Sequence, residues 1–156
     1  MKMIRVIVVG KPKKGFFSEG VREFSTRLSP YKVKVEYIKE SGIPRSPSLF
    51  EDVRQKEWNM VRRRIKSKEK IFLWDSRGEL WNTDTMVSFL KEIRGSGSKI
   101  VMVIGGPLGF SQGAYRDADY IVSLSKFTFT HQMALLMVLE QLYRSFKIIS
   151  GQPYAY

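Results

Sequence analysis

Apolar residues in this chain follow two rhythms that alternate along it. Met3 to Val9 is a β-rich apolar run closed by Gly10, the profile of a central strand in a parallel sheet. Phe17, Val21, Phe24 and Leu28 then recur at intervals of four, three and four, which predicts an amphipathic helix over Phe16 to Leu28, stopped by Ser29-Pro30. In Tyr31 to Ile38 the apolar Val33, Val35 and Tyr37 alternate with Lys32, Lys34 and Glu36, as in a strand buried on one side near a sheet's edge. Glu40 to Pro47 reads as a loop. Ser48 and Glu51 then have the spacing of a capping box, opening a helix expected to reach about Lys66 with Leu49, Val53, Met60 or Val61, and Ile65 inward.

The second half keeps the alternation. Lys70 to Asp75 predicts a third strand that stops at the loop Ser76-Arg77-Gly78-Glu79. Asn82-Thr83-Asp84 caps a helix whose Met86, Phe89, Leu90 and Ile93 share one face, closed by Gly95-Ser96-Gly97. Ile100 to Ile104 is a buried strand ending at Gly105-Gly106-Pro107-Leu108-Gly109, and Tyr120-Ile121-Val122 is another, ending at Ser123 to Thr130. The last helix carries Met133, Leu135, Leu136, Met137, Val138, Leu139, Leu142 and Phe146, so it must be buried on nearly all sides, in a core or against a partner subunit. Arg144 there either pairs with Glu140 one turn earlier or faces a substrate phosphate. The β-α-β alternation predicts the α/β class, a mainly parallel sheet with helices on both faces. No linker, repeat or low-complexity stretch divides it, so residues 1–156 are expected to form a single domain. Open α/β sheets bind ligands at the carboxyl ends of their strands, which directs attention to the loops after the fourth and fifth strands.

Composition narrows the chemistry. The chain has no cysteine, which excludes disulfides, thiolate metal sites and a thiol nucleophile; no metal is expected. Its first nine residues are too short and too charged a run for a signal peptide, and no apolar stretch approaches the ~20 residues of a membrane span, so a cytoplasmic protein without a membrane partner is expected. The net charge of +12 is lopsided: residues 1–70 hold 19 Lys and Arg against 8 Asp and Glu, while residues 71–156 hold 8 against 7. A basic excess confined to one half suits a surface that meets a polyanion, nucleic acid before acidic membrane. Lys11, Lys13 and Lys14 after the first strand, with Arg62, Arg63 and Arg64 at the second helix's end, are the candidate nucleic-acid contacts. The arginine run equally complements a helix dipole.

Individual motifs leave alternatives open. Gly10-Lys11-Pro12-Lys13-Lys14-Gly15 is not a P-loop, because Phe16 and Phe17 stand where that motif needs Lys and Ser or Thr. Gly105-Gly106-Pro107-Leu108-Gly109 allows close approach of backbone to a ligand, or is simply a turn. Ser123, Ser125, Thr128 and Thr130 either hydrogen-bond an adenine, ribose or carboxylate, or only order the start of the last helix, where Thr130 is a natural N-cap. His131, the only histidine, falls in that helix's first turn, where the dipole favours a neutral ring able to take a proton, or it is a packing residue.

Taken together, Ile104-Gly105-Gly106-Pro107-Leu108-Gly109, Leu124-Ser125-Lys126-Phe127-Thr128-Phe129 leading into His131-Gln132-Met133, then Glu140-Gln141-Leu142-Tyr143-Arg144 and Pro153-Tyr154, resemble the ribosomal large subunit methyltransferase H family over the whole chain. The resemblance implies a SPOUT-type fold with a C-terminal trefoil knot, a homodimer, and S-adenosylmethionine-dependent methylation of N3 of a pseudouridine in large-subunit (23S) ribosomal RNA. By the family's pattern Trp74, Gly105, Leu124, Ser125, Lys126, Phe127, Thr128 and Phe129 would hold the cofactor, with His131, Arg144 and Tyr154 near the target base. Thr130 stands where the family usually has proline, and Ala155 and Tyr156 where it places histidine and a basic residue. A sulfonium methyl is already electrophilic, so such a protein need chiefly align it and assist loss of the imide proton, through His131 or through the charge of Arg144. A SPOUT enzyme acting on another RNA such as tRNA, and a basic α/β domain that binds RNA without catalysis, are the alternatives.

Overall fold

A computed structural model describes residues 4–154; Met3, Ala155 and Tyr156, which entered the expectations above, lie outside them. Ten elements alternate as expected: β1 (Ile4–Val9), α1 (Phe16–Leu28), β2 (Val33–Ile38), α2 (Phe50–Arg62), β3 (Glu69–Leu80), α3 (Thr83–Ser96), β4 (Lys99–Ile104), α4 (Gln112–Asp117), β5 (Tyr120–Ser123) and α5 (His131–Ile149). The five strands form one sheet in the order β2-β1-β4-β3-β5, and every pairing is parallel. β2 lies at an edge, as its one-sided alternation predicted.

Strand alternation divides the core into two layers. Ile4, Val6 and Val8 of β1, with Ile100, Met102 and Ile104 of β4, face α1, α3 and α5. Ile7, Val9, Val101 and Val103 face α2 and α4. Arg5 points the same way as Ile7 but sits near the sheet's amino edge, 7% exposed. Its Nε donates to Glu36 at 2.7 Å, its Nη1 to Glu69 at 2.7 and 2.8 Å, and its Nη2 to the Arg64 carbonyl at 3.0 Å. The bond to Arg5 holds the Glu36 carboxyl below its ordinary range.

Two elements depart from expectation. The Ser48–Glu51 capping box does not form: Pro47–Leu49 makes a 3-10 turn, Ser48 Oγ pairs with Ser46 Oγ at 2.7 Å, and Glu51 instead accepts from the Gln112 N–H at 2.9 Å. α2 also stops at Arg62 rather than Lys66, because its last turn tightens into bonds from Arg64 N to Val61 O and Ile65 N to Arg62 O. Leu49 is exposed, and the inner face is filled by Trp58, whose indole N–H donates to Asp117 at 2.8 Å.

The third strand does not end at Asp75. It bulges between Trp74 and Glu79 and then resumes pairing with β5, so that Val122 is the register partner of both Trp74 and Glu79. Gly78 is what permits this: a Cβ there would lie 2.5 Å from backbone atoms of Ile121 and Val122. The expected loop Ser76–Glu79 is thus a strand segment pressed against β5.

Candidate active site

The carboxyl ends of β3, β4 and β5 open into a cleft of about 580 Å³, within the size range of small-ligand sites. Its walls come from Trp74 and the bulge that follows it, from the glycine loop after β4, from the loop after β5, and from the first turn of α5. Each loop has a local reason for its shape. Gly109 adopts φ +78°, a left-handed conformation natural to glycine, and its N–H closes a turn onto the Gly106 carbonyl at 3.0 Å. A Cβ on Gly105 would press on the Phe110 ring at 3.3 Å.

The hydroxyls after β5 are largely committed to the protein itself. Ser123 Oγ donates to the Ser125 carbonyl at 2.7 Å, Ser125 Oγ accepts from the Phe127 N–H at 3.0 Å, and Thr130 Oγ1 accepts from the Met133 N–H at 3.3 Å as N-cap of α5. Of the two readings of these residues, loop ordering and helix capping therefore account for Ser123, Ser125 and Thr130. Thr128 Oγ1 has no hydrogen-bond partner among the described residues.

Trp74 carries the clearest sign of a missing partner. The residue is 8% exposed, it lines the cleft, and its indole Nε1 is fully buried without a hydrogen-bond acceptor. An unpaired buried N–H costs about 1–3 kcal/mol, so a group that accepts from it would be bound with advantage.

The sequence-based candidates separate on this geometry. Trp74, Gly105, Leu124, Ser125, Phe127, Thr128 and Phe129 line the cleft, and so does His131. Lys126 does not; it is exposed. Arg144 and Tyr154 are absent from the lining as well. Arg144 lies thirteen residues beyond His131 on the same helix, about 20 Å away at the rise of an α-helix. It pairs with Glu140 at 2.7 Å, the first of the two roles left open for it, and its guanidinium sits 5.1 Å from the Tyr154 ring.

The basic candidates separate too. Lys11, Lys13 and Lys14 leave the carboxyl end of β1, on the cleft's side of the sheet, and are exposed. Arg62, Arg63 and Arg64 lie at the opposite edge: the Arg64 carbonyl is held by Arg5 near the start of β1, and Arg62 pairs at 3.3 Å with Asp117, just before β5. One chain therefore does not present the two groups as a continuous surface.

Three residues in and around the cleft were not anticipated. Asp75 lines it and accepts a hydrogen bond from the Tyr115 hydroxyl; burial, with that bond second, pushes the Tyr115 hydroxyl up to about 12. Phe110 backs Gly105. Glu57 is 5% exposed behind Gly106, and burial pushes its carboxyl above the ordinary range. Asp75 was legible only as the end of a strand, and Glu57 only as one charge in a basic helix. Among the described residues no cluster of His, Asp and Glu has the makings of a metal site.

Comparison with known proteins then gives this cleft a context. A family model described as "Predicted SPOUT methyltransferase" matches residues 1–155. The chain belongs to the SPOUT methyltransferase family. It is 37% identical over 155 residues to a ribosomal RNA large subunit methyltransferase H of Halothermothrix orenii, and 39% identical to the protein of the same name from Acetivibrio thermocellus. A Clostridium botulinum protein with that name is 36% identical. Each comparison covers 97% of this chain and 98% of the relative. The chain is accordingly a methyltransferase, as the sequence resemblance implied.

Proposed function

We propose that this SPOUT methyltransferase transfers a methyl group from S-adenosylmethionine to N3 of a pseudouridine in large-subunit (23S) ribosomal RNA, and that it works as a homodimer. The observation that carries the reading is the cleft at the ends of β3, β4 and β5, with its unpartnered Trp74 Nε1 and side-chain-free Gly105. The relatives named for large-subunit RNA methylation supply the substrate.

The residues present suit such a cofactor. Trp74 Nε1 offers a buried donor, the Gly105 backbone lines the cleft, and Leu124, Phe127 and Phe129 offer apolar and aromatic surface for a purine. When bound, the cofactor supplies an electrophilic sulfonium methyl. The protein's share is then alignment of the imide nitrogen and removal of its proton. His131 is the titratable side chain of the three candidates that reaches the cleft, and we assign it the proton. Lys11, Lys13 and Lys14 grip the RNA backbone beside it, which positions the substrate without reading its sequence.

Arg144 and Tyr154 enter this scheme through a second copy. Because Arg144 is about 20 Å from His131 within one chain and Tyr154 packs beside Arg144, they reach a target base only if a partner subunit presents them, as it would also bring Arg62, Arg63 and Arg64 toward the RNA. We further infer the C-terminal trefoil knot from the chain's membership of the SPOUT methyltransferase family.

Methyl-labelled cofactor incubated with the protein and either assembled ribosomes, free ribosomal RNA or transfer RNA tests the reading. Label on N3 of a large-subunit pseudouridine supports it; label confined to transfer RNA assigns a different substrate, and absence of cofactor binding by calorimetry leaves only a basic RNA-binding domain. His131→Ala should lower the rate about 10²- to 10⁴-fold. Co-expression of His131→Ala with Arg144→Ala should restore partial activity, since a mixed dimer rebuilds one intact site; no recovery would place both residues in the same subunit's site or remove one of them from it.

A further inference from the structure

We propose that Glu40 is the carboxylate partner of His131, a positioning residue that orients the imidazole and stabilises its protonated form, and that Glu57 holds Glu40 in place. The proposal rests on the assignment of the proton to His131 made above. Its basis is the way three segments meet at Gly10. The Gly10 N–H donates to the Ile38 carbonyl at 2.7 Å, so the chain leaving β2 runs beside the end of β1. Gly10 adopts φ +100°, a conformation that L side chains rarely take, and its bare α-carbon lets two groups close over it. A Cβ placed there would stand 2.9 Å from His131 Nε2 and 3.4 Å from Glu40 Oε2.

Neither ring nitrogen of His131 and neither oxygen of Glu40 has a hydrogen-bond partner among the described residues. The two side chains approach one spot without forming an ion pair, an arrangement that a bridging water or a small rotation completes. Catalytic hydrogen bonds are often long before substrate binds and tighten afterwards. Other charged groups around the ring are accounted for. Asp75, across the cleft, is engaged by the Tyr115 hydroxyl; Lys11 follows Gly10 and is exposed; Glu140, further along α5, is paired with Arg144.

Glu57 explains how an otherwise exposed loop keeps Glu40 there. Its Oε2 accepts from the N–H of Ser41, the next residue, at 2.9 Å, and its carboxylate lies against the Gly106 backbone, where a Cβ would meet Oε1 at 3.3 Å. A carboxyl buried from α2 thus ties the loop after β2 to the glycine loop of the cleft. With the methyl donor bound, its sulfonium would supply the methyl to N3 and keep the electron pair of the broken bond on sulfur, which leaves the N3 proton to the chain's own residues. The N3 proton passes to His131, whose charge Glu40 balances through the other ring nitrogen, and then leaves to solvent.

Because His131 is the only histidine in the chain, its ring resonances can be titrated by NMR in the full-length protein without ambiguity. Removing a nearby carboxylate makes the imidazolium less stable, so the midpoint should fall in Glu40→Gln and return in Glu40→Asp. Glu57→Ala should move it the same way by releasing the loop, with circular dichroism verifying the fold. In methyl transfer, Glu40→Gln should lower kcat and carry the acid limb of kcat to lower pH, with KM for the methyl donor unchanged. An unaltered His131 titration in Glu40→Gln overturns the pairing and leaves the proton assignment standing. If the titration moves but His131→Asn retains full activity, the pairing stands and the proton assignment falls.

Discussion

The two edges of this sheet end in opposite conditions. At the amino edge, Arg5 directs its guanidinium into Glu36, Glu69 and the Arg64 carbonyl, so that a buried charge finds several short bonds at once. At the carboxyl edge, the Trp74 indole N–H is buried with no acceptor, His131 and Glu40 face each other unbonded, and the loops enclose a cleft. A folded chain gains by satisfying its buried polar groups, and the amino edge does so. Groups left short at the other edge mark where an outside molecule is expected to complete the set.

The comparison is broken most severely at Arg5. Arg5→Ala removes one member of a buried ion cluster and strands Glu36 and Glu69, which should cost about 3–5 kcal/mol in urea or thermal unfolding. Affinity for S-adenosylmethionine, measured by calorimetry at a temperature where the variant is folded, should stay within about twofold. A large loss of affinity at intact fold would show that the two edges are coupled and that the division between them is wrong.

Trp74→Phe should give the reverse pattern with a smaller magnitude. The ring still fills the space beside Phe72, but the unpaired N–H is gone. Lost packing and the removal of an unsatisfied donor oppose one another, so stability should remain within about 1 kcal/mol of the parent. Cofactor affinity should fall about fivefold, the worth of one neutral hydrogen bond. Unchanged affinity would mean that the cofactor does not satisfy Trp74 Nε1.

The same contrast governs what was legible before the structure. The apolar run of β1, the spacing of α1, the caps Asn82 and Thr130 and the glycine loop after β4 are written in neighbouring residues, and each is found as read. The role of Arg5 was not legible, because its partners lie 31 and 64 positions away. Trp58 gave no local cue that it, and not Leu49, packs inward. The resumption of β3 after Asp75 depends on β5 arriving against Gly78, which no local pattern encodes. Most of the residues that line the cleft were legible because they sit on two contiguous loops. The arginines of α2, by contrast, were counted with the lysines after β1, since a charge total carries no information about which edge of a sheet each residue reaches.

A carboxylate at each edge, Glu36 partly buried and Glu57 buried, offers the finest test, because the two should respond to pH with opposite sign. Glu36 is held below its ordinary value of 4.5 by Arg5, so its stabilising contribution is complete above that value and is lost as pH falls through the folded-state value. Glu57 is pushed above 4.5 by burial, with Glu40 adding to the rise. The folded protein therefore holds the Glu57 proton more tightly than the unfolded chain does, and stability declines as pH rises from 4.5 through the raised value. Glu57→Gln keeps an oxygen for the Ser41 N–H and removes the buried charge. Thermal melts should find this variant more stable than the parent at neutral pH, with the advantage shrinking as pH is lowered through that window. Glu36→Gln should be less stable at neutral pH, and its deficit should shrink as pH falls. If Glu57→Gln is destabilised equally at every pH, the Glu57 carboxylate gains more from Ser41 than it loses by burial, and the carboxyl edge is better satisfied than the contrast with Arg5 allows.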